Sequence, residues 1–484
     1  MSRASIKKNQ MNQTTESRLK PHCLNFVELV AQNIAVISPT MTAALIVPLM
    51  FSTTGSMSWL SYAVGTIMLL FVTVNLNQFA RRSAGTGSMY SYTSLGLGPG
   101  AGCMSGWCLL WAYLFISLAG TTGFTIFAGK LLAAMGINCP PVILFAVCIG
   151  ACFTLAYMDI KISTIVSLGL EFASVALIML LSFVVLFGHH FAVDKTQFSL
   201  SGFSWMNLGL GVVVAVFSLV GFESSTAFGE EAKDATKTIP KSIIWSLLLT
   251  GAFFVYICYI EVAATNGYST TLDKLDSPLS TICDIYKVGF LSLPICAGAM
   301  ASFFALALSC MNAGSRVMLA MGRHGIFHSA TSKTHSKHET PHMALAIMAV
   351  IMFVVVTACK FVFKLEVLDE FNDAGTMGAF GFVGAYMLVT LAAPFYLKKC
   401  GELKAKDIAW CGAAMLLLLI PAIGSVYPVP PAPVNYFPYI FMGYLTIGII
   451  RVIALKIQAP ERLHAIRAQV RTQHLPDLLA TPEI

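Results

Sequence analysis

Charge is what this 484-residue sequence has least of: 11% of its residues are Asp, Glu, Lys or Arg, where a soluble globular protein carries roughly 25%. With 57% apolar residues and a mean hydropathy of +0.76, the chain excludes a water-soluble enzyme. The 13 cysteines contain no CxxC pair and no regular spacing. Cys103, Cys108, Cys148, Cys152, Cys258 and Cys310 sit inside apolar runs, so they read as small core fillers and say little about redox compartment. No Arg or Lys cluster with interleaved aromatics is present to recruit a nucleic acid, and no plausible catalytic constellation lies at one depth. The first apolar stretch is too long and too interrupted for a cleavable signal peptide.

What the chain has is apolar length. Its runs and their punctuation predict an all-α integral membrane protein of twelve spans. Spans 1 to 5 are expected at about 25–50, 58–79, 100–128, 141–157 and 162–187. Spans 6 to 10 follow at about 207–229, 242–264, 289–321, 342–363 and 376–397, and spans 11 and 12 at about 408–427 and 437–457. Residues 1–24, with Arg3, Lys7, Lys8, Arg18 and Lys20, and residues 458–484 are polar tails. If the amino terminus is cytosolic, 30 Lys and Arg divide so that only Lys130, Lys195, Lys274, Lys287, Lys360 and Lys364 lie outside. That bias predicts cytosolic termini and an even span number, in a plasma or bacterial inner membrane, and accounts for the net charge of +7.

Two spans are interrupted at matching depth. Ser38-Pro39-Thr40 falls about 13 residues into span 1, and Gly221-Phe222-Glu223 about 14 residues into span 6. Pro39 removes a helical donor, and Gly221 lowers the cost of leaving helical geometry. Equal breaks in spans 1 and 6, beside an intramembrane acid, are what two inverted five-span repeats around a central site produce. The repeats are expected over about 25–187 and 207–397, with two added helices over 408–457. The residues alone therefore lead to a secondary transporter whose substrate stays open.

Four ordered segments resemble the amino acid-polyamine-organocation (APC) transporter superfamily. They are Gly85-Thr86-Gly87-Ser88-Met89-Tyr90-Ser91-Tyr92 with Gly106-Trp107; Gly221-Phe222-Glu223 through Glu230-Glu231-Ala232-Lys233 and Thr238-Ile239-Pro240-Lys241-Ser242; Asn312 with Arg316 and Arg323-His324-Gly325; and Thr340-Pro341-His342-Met343-Ala344-Leu345. The resemblance implies alternating-access transport of amino acids or related amines, with substrate between the unwound middles of spans 1 and 6. On that reading the amides of Thr40, Met41 and Thr42 face a carboxylate at the positive end of the restarted helix. Carbonyls around Ile37 and Ser38, and around Ser218 to Val220, would accept from an ammonium. Phe217, with Phe222 nearby, matches the position where an aromatic ring closes over substrate.

This sequence departs from the family pattern in places. Ser38-Pro39-Thr40-Met41-Thr42 stands where many members have Gly-x-Gly, so selectivity does not transfer. Span 5 has no Lys at the position near Ser174 that serves sodium-independent members, but carries Glu171 one turn earlier. Glu223 is a candidate for proton exchange or for pairing with a cationic substrate, and equally for bracing the broken helix. A helix restarting after Gly221 would favour the Glu223 anion if its amides point at the carboxylate. Coupling to Na+ or H+ is open; Ser309 and Asn312 on span 8 are candidate sodium ligands with the span 1 carbonyls. No other cofactor is implied. The partners are a small-molecule substrate and the lipid bilayer, and the oligomeric state is open.

Other signals read more plainly. His338-Glu339-Thr340-Pro341-His342 fits HExxH, but Pro341 leaves His338 upstream of the helix and no third ligand is evident. His324, His328 and His335 read as a solvated loop, and Trp107, Trp111 and Tyr113 are candidate vestibule residues. Pro428, Pro430, Pro431 and Pro433 form a stiff connector; Arg462, Arg467 and Arg471 suit the anionic inner leaflet. The nearest alternative function is a transport-incompetent sensor on the same fold.

Overall fold

The computed structural model describes residues 19–199, 204–275, 277–461 and 466. Among them eleven apolar helical stretches are long enough to cross a bilayer, the first being the 55-residue Phe26–Ala80. Continuous, it would run ~80 Å against a hydrocarbon core of ~30 Å. Gly55, at φ +59, and the 3-10 turn Gly55–Met57 divide it into spans 1 and 2. Contacts near the N-terminus confirm this division: Lys20 pairs with Asp159, after span 4, and Leu24 bridges Ala232, after span 6. Both require an even number of crossings between the partners, which fixes twelve spans.

Spans 3 to 12 are Pro99–Ala134, Pro141–Met158, Ile160–Gly188, Trp205–Phe228, Ala235–Thr265, Gly289–Arg323, His342–Phe361, Val367–Lys399, Ala405–Gly424 and Val434–Gln458. Span 7 begins well before the expected 242. Span 10 begins well before 376, because Asp369 and Glu370 occupy its first turn, where acids favour the helix N-terminus. Two shorter helices, Ser88–Leu97 and Pro278–Ile285, lie outside the expected spans. The first is packed almost throughout, so the segment before span 3 is part of the core. Gly98, at φ +100, stops it, and Pro99 opens span 3 at the position where a missing N–H costs nothing.

The stretch holding spans 1 and 2, and span 3, are each 72% buried over their apolar windows, spans 11 and 12 only 22% and 17%, so the former build the centre and the latter stand at the periphery. Lipid is as apolar as Leu, so close backbone packing, not water exclusion, joins the central helices. A Cβ on Gly120 would lie 2.8 Å from the Ala307 amide nitrogen, and one on Gly381 2.5 Å from the Cys108 carbonyl oxygen. These two contacts draw spans 8 and 10 onto span 3. Both breaks therefore lie inside a tight helical shell.

Candidate functional site

Span 1 starts on a capping box. Asn25 Oδ1 accepts from the amides of Val27 and Glu28, and Glu28 Oε2 accepts from the Asn25 amide. Its first helix, Phe26–Ile37, ends where Ser38 turns left-handed at φ +52. Pro39 opens the restart, which runs through Pro39–Met41, the π-turn Thr42–Ile46 and Val47–Thr54. The Ser38 amide returns to the Ile34 carbonyl, leaving those of Ala35, Val36 and Ile37 past the last helical donor. On the far side Pro39 has no N–H and the Thr42 amide reaches back to the Ser38 carbonyl, so Thr40 and Met41 hold the restarting amides. Thr42 Oγ1 is buried and has no partner.

Span 6 breaks against the same place. Its helix Trp205–Leu219 ends at Val220, Gly221 takes φ +88, and a Cβ on Gly221 would stand 2.1 Å from Val36 Cγ1. The two interruptions thus abut. The Gly221 amide leaves the helix to donate to Tyr386 Oη at 3.2 Å, so the carbonyls of Phe217, Ser218 and Leu219 lack helical donors. Ser218 Oγ lies 3.4 Å from Tyr62 Oη. The Phe217 ring tip rests on span 10, where a Cβ on Gly375 would be 2.2 Å from its Cζ. Ile37, Ser38, Pro39, Thr40, Met41, Thr42, Phe217, Ser218, Val220, Gly221 and Phe222 are all buried.

The expected restart after Gly221 is corrected by the structure. The chain continues as the 3-10 segment Ser224–Phe228, and α-helix resumes only at Ala235. Asn33 of span 1 takes the freed donor: its Oδ1 accepts from the Ser225 amide at 2.7 Å, while its Nδ2 donates to Ser246 of span 7. The backbone amides of Gly221 and Glu223 still act on the Glu223 carboxyl. Two phenols join them, Tyr386 Oη donating to Oε2 at 2.5 Å and Tyr113 Oη to Oε1 at 3.4 Å.

On span 8, Ser309 Oγ donates to Ser167 Oγ at 3.4 Å, the Ser309 carbonyl accepts from Gln32 Nε2 of span 1 at 2.9 Å, and Asn312 Nδ2 donates to Ser163 Oγ at 2.9 Å. Ser309 and Asn312 sit two to three turns along the helix from Ser302, which is the span 8 residue at the break. Ser302 Oγ lies 2.9 Å from Ser38 Oγ and donates to Glu171 Oε1 at 2.7 Å. Thr40 Oγ1 and Ser174 Oγ are 2.5 Å apart. Glu171 therefore joins the break through one hydroxyl.

On the N-terminal face the connection after span 6 is locked to span 8. Arg316 is wholly buried and forms a two-pronged pair with Glu231, at 2.5 and 2.7 Å. It also donates to the Asn312 carbonyl and lies 4.5 Å from the Phe228 ring centroid. Arg323 pairs with Glu230 beside it. His324 is likewise buried, not solvated, and pairs with Tyr90 Oη at 2.5 Å. Burial, with Arg323 alongside, pulls its pKa from 6.5 to about 4. At Asp159 partial burial pushes the carboxyl up, but Lys20 and the Lys161 amide hold it below its ordinary value.

Of the vestibule aromatics only Tyr113 reaches the site. Trp111 donates to the Met377 carbonyl and packs at a tilt against Phe115 and Tyr444, and Trp107 packs on Phe327 and Tyr444. His338 lies upstream of the helix that begins at His342 and donates to the Met158 carbonyl. Among the described residues no group of His, Cys, Asp or Glu is placed to hold a metal ion. Arg462, Arg467 and Arg471 lie outside the described residues. The sequence reading missed Gln32, Asn33, Ser302 and Tyr386; polar Gln32 and Asn33 inside an apolar run were the available signal.

Two abutting broken helices, each the first of a five-span set and enclosed by spans 3, 8 and 10, define a secondary transporter. The fold is shared with the crystal structure of MhsT in complex with L-phenylalanine, at a TM-score of 0.58 and 14% identity over 84% of this chain and 99% of that one. The profile of the amino acid permease family matches residues 26–450, and the chain belongs to that family. It is similar to the branched-chain amino acid permease BcaP of Bacillus subtilis, 25% identical over 71% of this chain and 74% of the relative. It is also similar to the low-affinity putrescine importer PlaP of Escherichia coli K12, 24% identical over 81% and 86%.

Proposed function

We propose that this carrier moves an α-amino acid across the membrane, binding it where the two breaks meet. The observation that carries the reading is the charge layout of that junction. The amides of Thr40 and Met41 form the positive end of one half-helix, and the carbonyls of 35–37 and 217–219 form the negative ends of two others. A zwitterion complements both; a diamine such as putrescine would leave the amides unmatched. Thr42 Oγ1 adds a free hydroxyl, and Phe217 is the ring that closes the site toward span 10. Because these groups are buried, binding and release require the helices around the breaks to part.

Glu223, on this reading, braces the span 6 break to spans 3 and 10, since phenols occupy both of its oxygens. Glu223→Gln then lowers the transport rate without changing the shape of the pH profile over roughly pH 5 to 8; a flattened profile restores it as a proton carrier. The Lys and Arg bias places the N-terminal face in the cytosol, in a plasma or bacterial inner membrane, with tails at 1–24 and 458–484. The repeats run over about 25–187 and 207–397 and the added helices over 408–457. The protein is a carrier and not an enzyme.

The test is uptake of labelled amino acids and polyamines into proteoliposomes, with proton and sodium gradients imposed separately and counter-substrate present or absent inside. Gradient-driven accumulation of an amino acid supports a symporter, and flux only against internal substrate an exchanger. Uptake confined to polyamines overturns the substrate class, and saturable binding without flux makes the protein a sensor.

A further inference from the structure

Span 5 is a peripheral helix with one polar stripe. It turns Ile165, Phe172, Leu180 and Phe183 outward, while Ser163, Ser167, Glu171 and Ser174 are buried. Steps of four, four and three residues keep those four on one helical face. Each meets a polar partner: Ser163 with Asn312, Ser167 with Ser309, Glu171 with Ser302 and Ser174 with Thr40. Positions on span 8 fall as those on span 5 rise, as antiparallel neighbours require, so the contacts form a ladder. Its upper end is the span 1 break, where Ser302 touches Ser38. Its lower end is Ser163, whose amide donates to the carbonyl of Asp159, the partly exposed N-cap paired with Lys20.

We propose that Glu171 is the proton-binding residue of this carrier and that the ladder between spans 5 and 8 carries its proton to and from the N-terminal face. The proposal rests on the carrier reading above but names a residue and a route outside the substrate contacts. Glu171 is 3% exposed, accepts from Ser302 alone, and its Oε2 has no partner. A carboxylate so placed would have one neutral donor and no counter-charge, whereas a carboxylic acid carries no charge to solvate. No charged side chain on the elements packed against it acts on Glu171. Among nearby titratable groups, Cys152 of span 4 is bonded to the Phe304 carbonyl and Tyr256 of span 7 to Ser182. Glu28 of span 1 bonds the Asn25 amide, and span 8 contributes Cys310.

The link to substrate is Ser38. Its hydroxyl bonds Ser302, and Ser302 bonds Glu171, so a substrate carboxylate arriving at the Thr40 and Met41 amides acts two hydroxyls from the acid. When the helices part toward the N-terminal face, the Glu171 O–H breaks and the proton passes to water, leaving the carboxylate. Rungs four residues apart are ~6 Å apart, so water must bridge neighbouring hydroxyls. The unpartnered Asn312 Oδ1 lies on this route as an acceptor for such a water.

The test uses full-length protein in sodium-free proteoliposomes, with labelled L-leucine as probe. A pH gradient, acid on the side opposite the N-terminal face, is expected to drive accumulation of up to about tenfold per pH unit imposed, for one proton per substrate. Glu171→Gln should abolish that accumulation while leucine–leucine counterflow stays measurable, and Ser302→Ala should reduce it. Accumulation that survives Glu171→Gln, or that follows a sodium gradient at equal pH, overturns the proposal. Independently of any substrate, infrared difference spectra of wild type against Glu171→Gln at pH 7 should show loss of a protonated-carboxyl carbonyl band. Identical spectra overturn the assignment even if leucine is transported; a lost band without leucine uptake supports Glu171 and moves the failure to the substrate.

Discussion

Gly221→Ala tests whether the two breaks meet as described. The new Cβ would lie 2.1 Å from Val36 Cγ1 and 3.1 Å from Val36 Cβ, at a residue with φ +88. Overpacking of this kind costs about 1–3 kcal/mol, and holding a non-glycine residue at such a φ about 1–3 kcal/mol more. Val36→Ala removes the colliding methyl but leaves the backbone strain. The double variant should therefore be less destabilised than the sum of the singles by about 1–3 kcal/mol, with the strain cost remaining. Denaturant titration in mixed micelles reads these differences, with unfolding half-life as the readout where titration is irreversible. Labelled uptake should fall in Gly221→Ala and recover in part in the double variant. Additive singles, or a Gly221→Ala protein as stable as wild type, would refute the abutment and the binding geometry built on it.

Two further predictions concern the N-terminal face. Arg316→Met leaves the Glu231 carboxyl buried without its partner and should cost about 3–5 kcal/mol; adding Glu231→Leu should recover most of that, which thermal denaturation in detergent would measure. His324 titrates near 4 when folded and near 6.5 when unfolded, so between these values the unfolded chain binds more protons. Its contribution is complete above pH 6.5 and is lost as pH falls toward 4, by roughly 3 kcal/mol. His324→Asn should flatten the stability profile in that window, and an unchanged slope would show that His324 is not buried against Tyr90.

The spans and the breaks were legible in sequence because each depends on local composition. A run of ~20 apolar residues crosses a bilayer wherever it occurs, and Pro39 interrupts a helix whatever packs around it. Span 10 is longer than its apolar run because Asp369 and Glu370 lie in its first turn, where acids favour the helix. The site was legible only on the two chain segments that unwind. Its other walls are Tyr386, 163 residues from Glu223, and Ser302, 264 residues from Ser38. Neither residue carries a local mark of its role.

Sequence by itself determined that this chain crosses a membrane twelve times, with helices 1 and 6 broken, because hydropathy, Pro39 and Gly221 act within a turn or two of themselves. Only the tertiary structure decided what surrounds the acids. Glu223 and Glu171 are both carboxyls in apolar spans, yet one is held by two phenols and the other by a single serine hydroxyl. The physical reason is that the cost of a buried carboxylate is set by the donors around it, and those come from spans distant in the chain.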